Sequence, residues 1–280
     1  MVEERARLRA ARDFAAADAI RDRLLAGGWA VVDGAQGSRL EKAEAPPRPR
    51  QLSFMTVVHG WPEDAQRWLD SVVQHHLGYD FEVLLVDNSG AETVDRWMRG
   101  AARHERVRSQ RLDPPVGFGA AVNAGLTAAT GEYVILFDPG TEATGDVAGA
   151  LLDSLSRPGV GIAAAFGVRG AGTLKEFAQH PGPEVDAAEG YCMAFRRQDA
   201  LAVGGFDEKF RFYRIADFEF SFRIRATGKQ VIVVSGLPVA RHAHRLWEAQ
   251  PVEERERLSK KNFYRFLNRW GKRTDLLVRD

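Results

Sequence analysis

The sequence predicts an α/β protein with a mainly parallel, twisted sheet and helices on both of its faces. From residue 52 to residue 137, short apolar runs alternate with longer segments of helical apolar period. Strands and helices that alternate in this way form parallel sheets, because each crossover helix returns the chain to the same end of the sheet. A charge-rich segment and a proline-rich stretch come first, which predicts a small N-terminal module.

Length and composition limit the classes of function. A chain of 280 residues holds one large domain, or one domain with a small appendage. Lys and Arg number 39 against 38 Asp and Glu, so the net charge of +1 argues against nucleic acid as a partner. The single cysteine, Cys192, excludes an internal disulfide and suits a reducing cytoplasm. No apolar run approaches the ~18 residues that a membrane span needs.

The N-terminal module is predicted to cover residues 1–42. An apolar stripe with helical spacing ends at a pair of glycines and contains Ala10, Phe14, Ala17, Ile20 and Leu24. A short hairpin follows, with strands at Trp29 to Val32 and Ser38 to Leu40 around glycine-containing turn residues. The next eight residues, AEAPPRPR at 43–50, predict a semi-rigid linker to a domain at 51–280.

The larger domain then reads as a series of strands and helices in strict alternation. Strands are predicted at Leu52 to Val58, Phe81 to Val86, Val107 to Leu112 and Tyr133 to Phe137. Helices are predicted at Glu63 to Leu77, Thr93 to Arg103 and Gly119 to Ala129. Ligands of such sheets bind at the carboxyl ends of the strands, so those ends are the place to look for function.

Polar residues follow the predicted strands directly. The first strand ends in His59-Gly60-Trp61, the second in Asp87-Asn88, and the fourth in Asp138. An aspartate at this rim can accept hydrogen bonds from a base or ribose, or bind a divalent cation. Each could equally cap a helix or form an Asx-turn. Two aspartates on neighbouring strands favour the ligand interpretation.

A glycine-rich segment, GFGAAVNAG from Gly117 to Gly125, begins the third helix. Small residues such as Gly117 and Gly119 would let backbone N–H groups approach a phosphate or ribose, and the Asn123 amide would lie beside the same ligand. The spacing matches neither the dinucleotide fingerprint nor a Walker A loop. Tight packing of the helix on the sheet explains the glycines equally well.

Five segments, in this order, resemble the inverting family 2 glycosyltransferases of the GT-A fold. They are LSFMTVVHGWPEDAQRWLDSVV, FEVLLVDNSG, GFGAAVNAGLTAATGEYVILFDPGT, GYCMAFRRQDALAVGGFDEKF and ADFEFSFRIRATG. The resemblance extends from about Leu52 to about His244. It implies a glycosyltransferase that moves a sugar from a nucleotide-sugar donor to an acceptor hydroxyl with metal assistance and inversion.

The resemblance also implies roles for individual residues. Asp87 would contact the nucleotide base, in a pocket lined by His59 to Trp61, and Gly190 would lie at the strand edge beside the donor. Asp138 corresponds to the first aspartate of the DxD motif, which binds the metal on the donor diphosphate or the donor ribose. Asp217 corresponds to the first aspartate of the family's EDxD segment, which contains the catalytic base. Either His242 or His244 would be the third metal ligand.

The sequence departs from the family pattern at two positions. Gly140 stands where the DxD motif has its second acid, which leaves Asp138 with a histidine, Glu142 or water around Mn2+ or Mg2+. Ala216 stands where the family has a glutamate. The alternative to an active enzyme is therefore a catalytically degenerate nucleotide-sugar-binding protein. The acceptor, the donor sugar and the oligomeric state are not indicated.

Both ends of the chain suggest further partners. Residues 8–40 resemble the C-terminal tail of cysteinyl-tRNA synthetases, which raises the hypothesis of an RNA-associated adaptor, although acidic residues there offset the arginines. Residues 251–273 form a basic amphipathic pattern with an apolar stripe at Phe263, Phe266, Leu267 and Trp270. Such a helix either contacts the inner face of a membrane from the cytoplasm or packs on the transferase core, and packing is favoured.

Overall fold

The computed structural model of the protein describes residues 2–11, 13–26, 29–34, 37–42 and 52–279. The chain divides into two units, Met1–Pro49 and Arg50–Asp280. The predicted linker at 43–50 lies outside the described residues.

The first unit contains a helical pair and an antiparallel hairpin. Its elements are α1 (Val2–Ala10), α2 (Phe14–Ala26), β1 (Trp29–Gly34) and β2 (Gly37–Lys42). The expected single helical stripe is split, because Asp13 Oδ1 accepts a hydrogen bond from the Ala16 backbone N (3.1 Å) and caps α2. Ile20 and Leu24 are buried, whereas Phe14 is 55% exposed. The synthetase resemblance of this unit stays a prediction.

The strands of the second unit form one large sheet and two small ones. In chain order they are β3 (Leu52–Val58), β4 (Phe81–Asp87), β5 (Val107–Arg111), β6 (Tyr133–Phe137), β7 (Thr141–Ala143), β8 (Val160–Ala164), β9 (Gly167–Gly170), β10 (Phe177–Gln179), β11 (Glu184–Val185), β12 (Ala187–Ala188), β13 (Cys192–Arg196), β14 (Gln230–Val233) and β15 (Val239–Arg241). The large sheet has the order β11-β14-β8-β13-β6-β3-β4-β5, and the small ones are β10-β9-β12 and β15-β7.

Strand direction in the large sheet is mixed but mainly parallel. β3 runs parallel to β4 and β6, β4 to β5, and β8 to β14. β13 is antiparallel to both of its neighbours, β6 and β8, and β11 is antiparallel to β14. The predicted α/β class with a mainly parallel sheet is therefore confirmed.

Helices cover both faces of the large sheet. They are α3 (Pro62–His75), α4 (Glu92–Ala101), α5 (Phe118–Ala128), α6 (Ala148–Ser156), α7 (Arg197–Ala202), α8 (Ala216–Arg225), α9 (Arg245–Glu248) and α10 (Val252–Trp270). Alternate residues of β3 point to opposite faces: Phe54 packs in a core with α3, α4 and α6, and Met55 in a core with α5, α8 and α10. Burial on both faces explains why these strands read as continuous apolar runs.

The aromatic stripe of α10 packs on the core, as favoured from the sequence. Phe266 and Trp270 are buried, and Phe263 and Leu267 pack against the same cluster. Membrane contact through residues 251–273 stays a prediction, and it must rest on groups other than this stripe. Within the residues that the structure describes, no helix has both the length and the apolar character needed to cross a bilayer.

A buried histidine ends α3 and joins it to the segment before α6. The His76 ring is fully buried, with Nδ1 2.8 Å from the Val72 carbonyl and Nε2 3.1 Å from the Val147 backbone N. Nε2 can accept from this N–H only when it carries no proton. Burial lowers the pKa of His76, while the Val72 hydrogen bond and Asp146 oppose this effect.

We predict that His76→Gln lowers the free energy of unfolding by about 1–3 kcal/mol at pH 8, because two buried backbone groups lose their partner geometry. The pKa of His76 is lower in the folded state than in the unfolded chain, so as the pH falls the unfolded chain takes up the proton at the higher pH. The contribution of His76 is full above about pH 6.5 and declines as the pH falls below that value. Urea denaturation should show that wild type loses more stability than the variant between pH 8 and pH 5. His75→Gln is the matched control, and equal losses in wild type and His76→Gln would contradict the prediction.

Candidate active site

A pocket of about 380 Å3 opens at the carboxyl ends of the central parallel strands. Its lining includes His59 after β3, Asp138 after β6, Asp217 from α8 and His244 after β15. Asp87 and Asn88 do not line this pocket, and both are buried at the end of β4. The structure thus brings together, in one cavity, predicted site residues that are up to 185 positions apart in the sequence.

The two rim aspartates do not follow neighbouring strands, contrary to the expectation from the sequence. β3 lies between β4 and β6, so His59 follows the strand that separates Asp87 from Asp138. Burial lowers the pKa of His59 to about 4, although the charges of Asp138 and Asp87 oppose the effect. The ring is therefore neutral at physiological pH, and it stacks on Phe118 at 6.1 Å between centroids.

Two buried polar atoms at this edge have no partner among the described residues: Asp87 Oδ2 and His59 Nε2. The other Asp87 oxygen accepts hydrogen bonds from Ser89 N (2.8 Å) and Ser89 Oγ (2.7 Å), which fixes the carboxylate. Buried polar groups are nearly always paired in native proteins. These atoms are therefore suited to a ligand that supplies the missing hydrogen bonds.

Strained backbone borders the pocket at the start of two helices. Trp61 precedes α3 with φ of 50°, and Ile215 precedes α8 with φ of 68°. A non-glycine residue in this region costs about 1–3 kcal/mol and persists only where its surroundings require it. Both side chains line the pocket, and Gly60, with φ of 153°, permits the turn that aims Trp61 inward.

Asp138 and His244 form a close pair that fits part of a divalent-cation site. His244 Nε2 lies 3.0 Å from Asp138 Oδ2, and the Gly140 backbone N donates to Asp138 Oδ1 at 2.7 Å. Burial lowers the pKa of His244, but the hydrogen bond and charge of Asp138 outweigh it, so the net shift is upward. One carboxylate and one imidazole suit Mn2+ or Mg2+ if other ligands complete the shell.

The described residues do not form a complete metal site by themselves. They contain no cluster of three or more acidic, histidine or cysteine side chains that could hold a metal. At Gly140, an added Cβ would lie 2.9 Å from Asp138 Oδ1 and 3.3 Å from the Ala243 carbonyl. A side chain at position 140 would therefore require the Asp138 carboxylate to shift.

His242 is held apart from this pair. Its Nε2 lies 2.8 Å from Glu142 Oε2, and its ring is exposed and does not line the pocket. The strand β15 ends at Arg241, so His242 and His244 do not lie on one face of a strand. Of the two histidines proposed as metal ligands, the structure therefore places only His244 at Asp138.

The glycine-rich start of α5 is used for packing rather than for an open phosphate cradle. Phe118 N donates to the Arg211 carbonyl (3.0 Å) and Gly119 N to the Phe210 carbonyl (3.1 Å), so these N–H groups are occupied. A Cβ at Gly117 would lie 2.8 Å from Arg211 Cα, and one at Gly119 would lie 2.5 Å from a carbonyl oxygen. Close backbone packing accounts for both glycines, and their expected donor-binding roles stay predictions.

The two asparagines expected at the donor likewise bind the protein's own backbone. Asn123 pairs through its amide with Phe206 N (2.8 Å) and the Phe206 carbonyl (2.9 Å). Asn88 pairs in the same way with Val116 N (2.8 Å) and the Val116 carbonyl (3.0 Å). These bonds tie loops of the protein to Asn123 in α5 and to Asn88 after β4.

Asp217 lies in the first turn of α8 and faces the pocket. Its Oδ2 accepts from Gly190 N (2.9 Å) and its Oδ1 from Phe218 N (2.9 Å). Burial raises the pKa of Asp217, while these hydrogen bonds and the charge of Arg214 oppose the shift. A carboxylate with a raised pKa is a stronger base. Gly190 thus positions Asp217.

The sequence prediction missed several pocket residues beside those it named. Tyr213 stacks on His244 with centroids 4.4 Å apart, and Arg214 follows it. Glu189, next to Gly190, accepts a hydrogen bond from Gln179 Nε2 (3.1 Å). Burial, and then the charge of Asp217, raise the pKa of Glu189. Their closeness to Gly190 and Asp217 in the chain is the signal that could have found them.

This architecture, with its pocket at the carboxyl ends of the parallel strands, is the GT-A fold of glycosyltransferases. Residues 53–221, more than half of the chain, match the family model described as Glycosyl transferase family 2. The chain belongs to this family. No curated protein sequence matches it.

Solved structures share the fold at low sequence identity. GalNAc-T7 with UDP, GalNAc and Mn2+ has a TM-score of 0.66 at 18% identity, over 81% of this chain and 50% of that one. The mannosyltransferase PcManGT of Pyrobaculum calidifontis, with GDP-Man and Mn2+, has a TM-score of 0.62 at 17% identity, over 99% of this chain and 80% of that one. TarS of S. aureus has a TM-score of 0.53 at 16% identity, over 79% of this chain and 43% of that one. The chain thus spans half or less of two of these relatives.

We predict that Asn123→Ala lowers the free energy of unfolding by about 1–3 kcal/mol, because it leaves the backbone N–H and carbonyl of Phe206 without partners. The affinity of folded protein for UDP or GDP with Mn2+ should change less than about twofold, since the residue holds a loop and not the donor. Asn268→Ala, at an exposed position of α10, is the control and should change stability by less than about 0.5 kcal/mol. Urea denaturation and calorimetric titration measure the two quantities. A large loss of affinity at unchanged stability would restore Asn123 to the donor site.

Proposed function

We propose that this protein transfers a sugar from a nucleotide-sugar donor to an acceptor hydroxyl, with a divalent cation and with inversion of the anomeric centre. The observation that carries the proposal is that the Asp138–His244 pair and the Asp217 carboxylate line one pocket. Membership of the family and the titles of the neighbours support a nucleotide-sugar donor: GalNAc-T7 is seen with UDP and Mn2+, and PcManGT with GDP-Man and Mn2+.

Asp138 and His244 are the residues that would hold the cation, with donor oxygens and water as its remaining ligands. When bound, a divalent cation supplies positive charge to the diphosphate that leaves the sugar. The orientation of the His244 ring is fixed by Tyr213, which stacks on it with centroids 4.4 Å apart. To bind a cation through Nε2 the ring must carry its proton on Nδ1, so the Trp247 N–H, now 3.3 Å from that atom, would no longer donate to it. A fixed imidazole orientation is typical of histidines that bind metals.

Asp87, His59 and Trp61 would bind the nucleotide. The unpartnered Asp87 Oδ2 can accept a hydrogen bond from a base N–H or a ribose hydroxyl. The unpartnered Nε2 of neutral His59 can pair with a second polar group of the same ligand. The Trp61 indole, partly buried at the pocket wall, offers an apolar surface.

Asp217 would remove the proton from the acceptor hydroxyl. The acceptor oxygen forms a bond to the anomeric carbon while the bond from that carbon to the diphosphate breaks, and the acceptor proton passes to the carboxylate. This single displacement inverts the anomeric centre. The raised pKa of Asp217 favours proton uptake. Glu189 also lines the pocket, and burial and the charge of Asp217 raise its pKa.

A second candidate, a nucleotide-sugar-binding protein without catalysis, is favoured by the departures at Gly140 and Ala216. Ala216 is buried at 2% exposure in the core, so no acid is available there to assist Asp217. The two candidates share donor binding and differ in turnover.

We predict that UDP or GDP binds at least about tenfold more tightly with Mn2+ than with EDTA, because the cation joins the diphosphate to the protein. Asp138→Ala should abolish this dependence and His244→Ala should reduce it, as measured by calorimetric titration. His242→Ala, whose ring pairs with Glu142 instead, is the control and should keep the dependence. Failure of both nucleotides to bind in either condition would exclude the transferase and the binder together.

We predict that Asp217→Asn lowers the rate of donor hydrolysis by about a hundredfold or more, because it removes the base that activates the attacking hydroxyl or water. The assay follows nucleoside diphosphate released from a panel of UDP- and GDP-sugars. Asp80→Asn, at an exposed position before β4, is the control and should hydrolyse donors like wild type.

Two results would contradict this assignment. Equal hydrolysis by wild type and Asp217→Asn shows that Asp217 is not the base for this reaction. A released sugar that first appears, by 1H NMR, with the donor's own anomeric configuration excludes a single displacement. Nucleotide binding without any turnover on the panel supports the binder.

A further inference from the structure

Two arginines, Arg214 in the lining of the active-site pocket and Arg241 beside the lining residue Tyr191, have no carboxylate partner among the described residues. Within the described part of the chain, neither Arg214 nor Arg241 forms an ion pair or a side-chain hydrogen bond, and both are exposed. Their neighbour Arg245 behaves differently, because its guanidinium contacts Glu63 and lies 3.1 Å from Asp64 Oδ2. The two unpaired cations therefore have N–H donors to offer to a ligand.

Aromatic rings hold both guanidinium groups in place. The Arg241 guanidinium carbon lies 4.5 Å from the Phe166 ring centroid and 4.9 Å from that of Tyr191. The Arg214 guanidinium carbon lies 5.1 Å from the Trp247 ring centroid. Stacking uses the flat face of a guanidinium group and leaves its N–H edges free. Little side-chain entropy remains to be lost when such a group binds an anion.

The backbone that carries Arg214 is also fixed. The buried Asn262 of α10 donates from Nδ2 to the carbonyl of Phe212 (2.8 Å) and to the carbonyl of Arg214 (2.8 Å). The following residue, Ile215, adopts the left-handed conformation at the start of α8. Arg214 is therefore part of a rigid segment that leads directly to Asp217.

Both arginines lie on the same side of the pocket as the proposed base. Their charges act together on Glu189 and Tyr191, and Arg214 also acts on Asp217. This side holds the carboxyl groups of Glu189 and Asp217, and an anionic acceptor would be repelled there without nearby cations. The Tyr191 ring under Arg241 follows Gly190, whose N–H donates to Asp217 Oδ2 (2.9 Å), and Arg214 lines the same pocket. The charge of Arg214 also acts on His244, the partner of Asp138. The pair of arginines thus lies beside the proposed base, which the acceptor hydroxyl must reach.

We propose that Arg214 and Arg241 recognise a negative charge, a carboxylate or a phosphate, on the acceptor beside the hydroxyl that attacks the donor. This inference rests on the proposed glycosyltransferase function and adds the class of acceptor to it. Charge-assisted hydrogen bonds from two held guanidinium groups select an anionic acceptor over a neutral one of the same shape.

The test is a calorimetric titration of the full chain loaded with Mn2+ and with UDP or GDP, whichever binds. The probes are p-nitrophenyl β-glucoside, p-nitrophenyl β-glucuronide and p-nitrophenyl β-glucoside 6-phosphate, which share a sugar and differ in charge. We expect at least one charged probe to bind about tenfold or more tightly than the neutral one. The charged probe that binds more tightly tells whether the recognised anion is a carboxylate or a phosphate. The preference should weaken when the salt concentration rises from 50 to 300 mM, as ionic recognition requires.

Variants assign the preference to the arginines. Arg214→Gln and Arg241→Gln should each reduce the ratio of charged to neutral affinity by about threefold or more. Arg255→Gln is the matched control, because Arg255 also lies over the Trp247 ring, at 4.8 Å, but does not perturb Glu189, Tyr191 or Asp217. It should leave the ratio unchanged.

Several outcomes would overturn the inference while leaving the proposed function intact. They are equal affinity for charged and neutral probes, no binding of either charged probe to nucleotide-loaded protein, or a preference that survives both substitutions. A loss of UDP or GDP affinity in Arg214→Gln that matches the loss of probe affinity would assign Arg214 to the donor diphosphate instead. Failure of the nucleotides to bind at all is the different result that removes the proposed function itself.

Discussion

The proposed site depends on the hydrogen bonding of β3 between β4 and β6. The three strands run parallel and in continuous register, with Val58 opposite Asp87 and Thr56 opposite Phe137. The Thr56 hydroxyl adds a hydrogen bond to the Phe137 carbonyl at 2.9 Å. Because parallel strands end on the same edge, this register brings the ends of three separate chain segments to one edge of the sheet, where His59 and Asp138 line the pocket and Asp87 is buried. A shift of the register would move the aspartates away from the histidine between them.

A second constraint fixes the opposite wall of the pocket. The segment from Phe206 to Asp217 is irregular, yet it is tied to α5 through Asn123 and to α10 through Asn262. Close packing of the glycine-rich end of α5 adds to these contacts. The polar groups of buried loops need such partners, because unsatisfied backbone groups are costly. Residues of the glycine-rich end of α5 thus hold in place the segment that leads to Asp217.

Burial shifts the pKa values of the ionisable groups in the pocket in opposite directions. It keeps His59 neutral and raises the pKa of Asp217, whereas Asp138 raises the pKa of His244 despite burial. A side chain at position 140, where the family pattern has an acid, would require the Asp138 carboxylate to shift. The proposed cation site therefore depends on a histidine from a distant strand end.

The sequence by itself determined the alternation of strands and helices, since β3 and β6 are buried on both faces and read as unbroken apolar runs. It also placed Asp138 at a strand end, and the family resemblance singled out Asp217. Sequence could not show that β3 separates Asp87 from Asp138, or that His244 rather than His242 meets Asp138. Strand order and the direction of a side chain after a strand are set by long-range packing. Only the tertiary structure decides these contacts, because local periodicity carries no information about which distant groups meet.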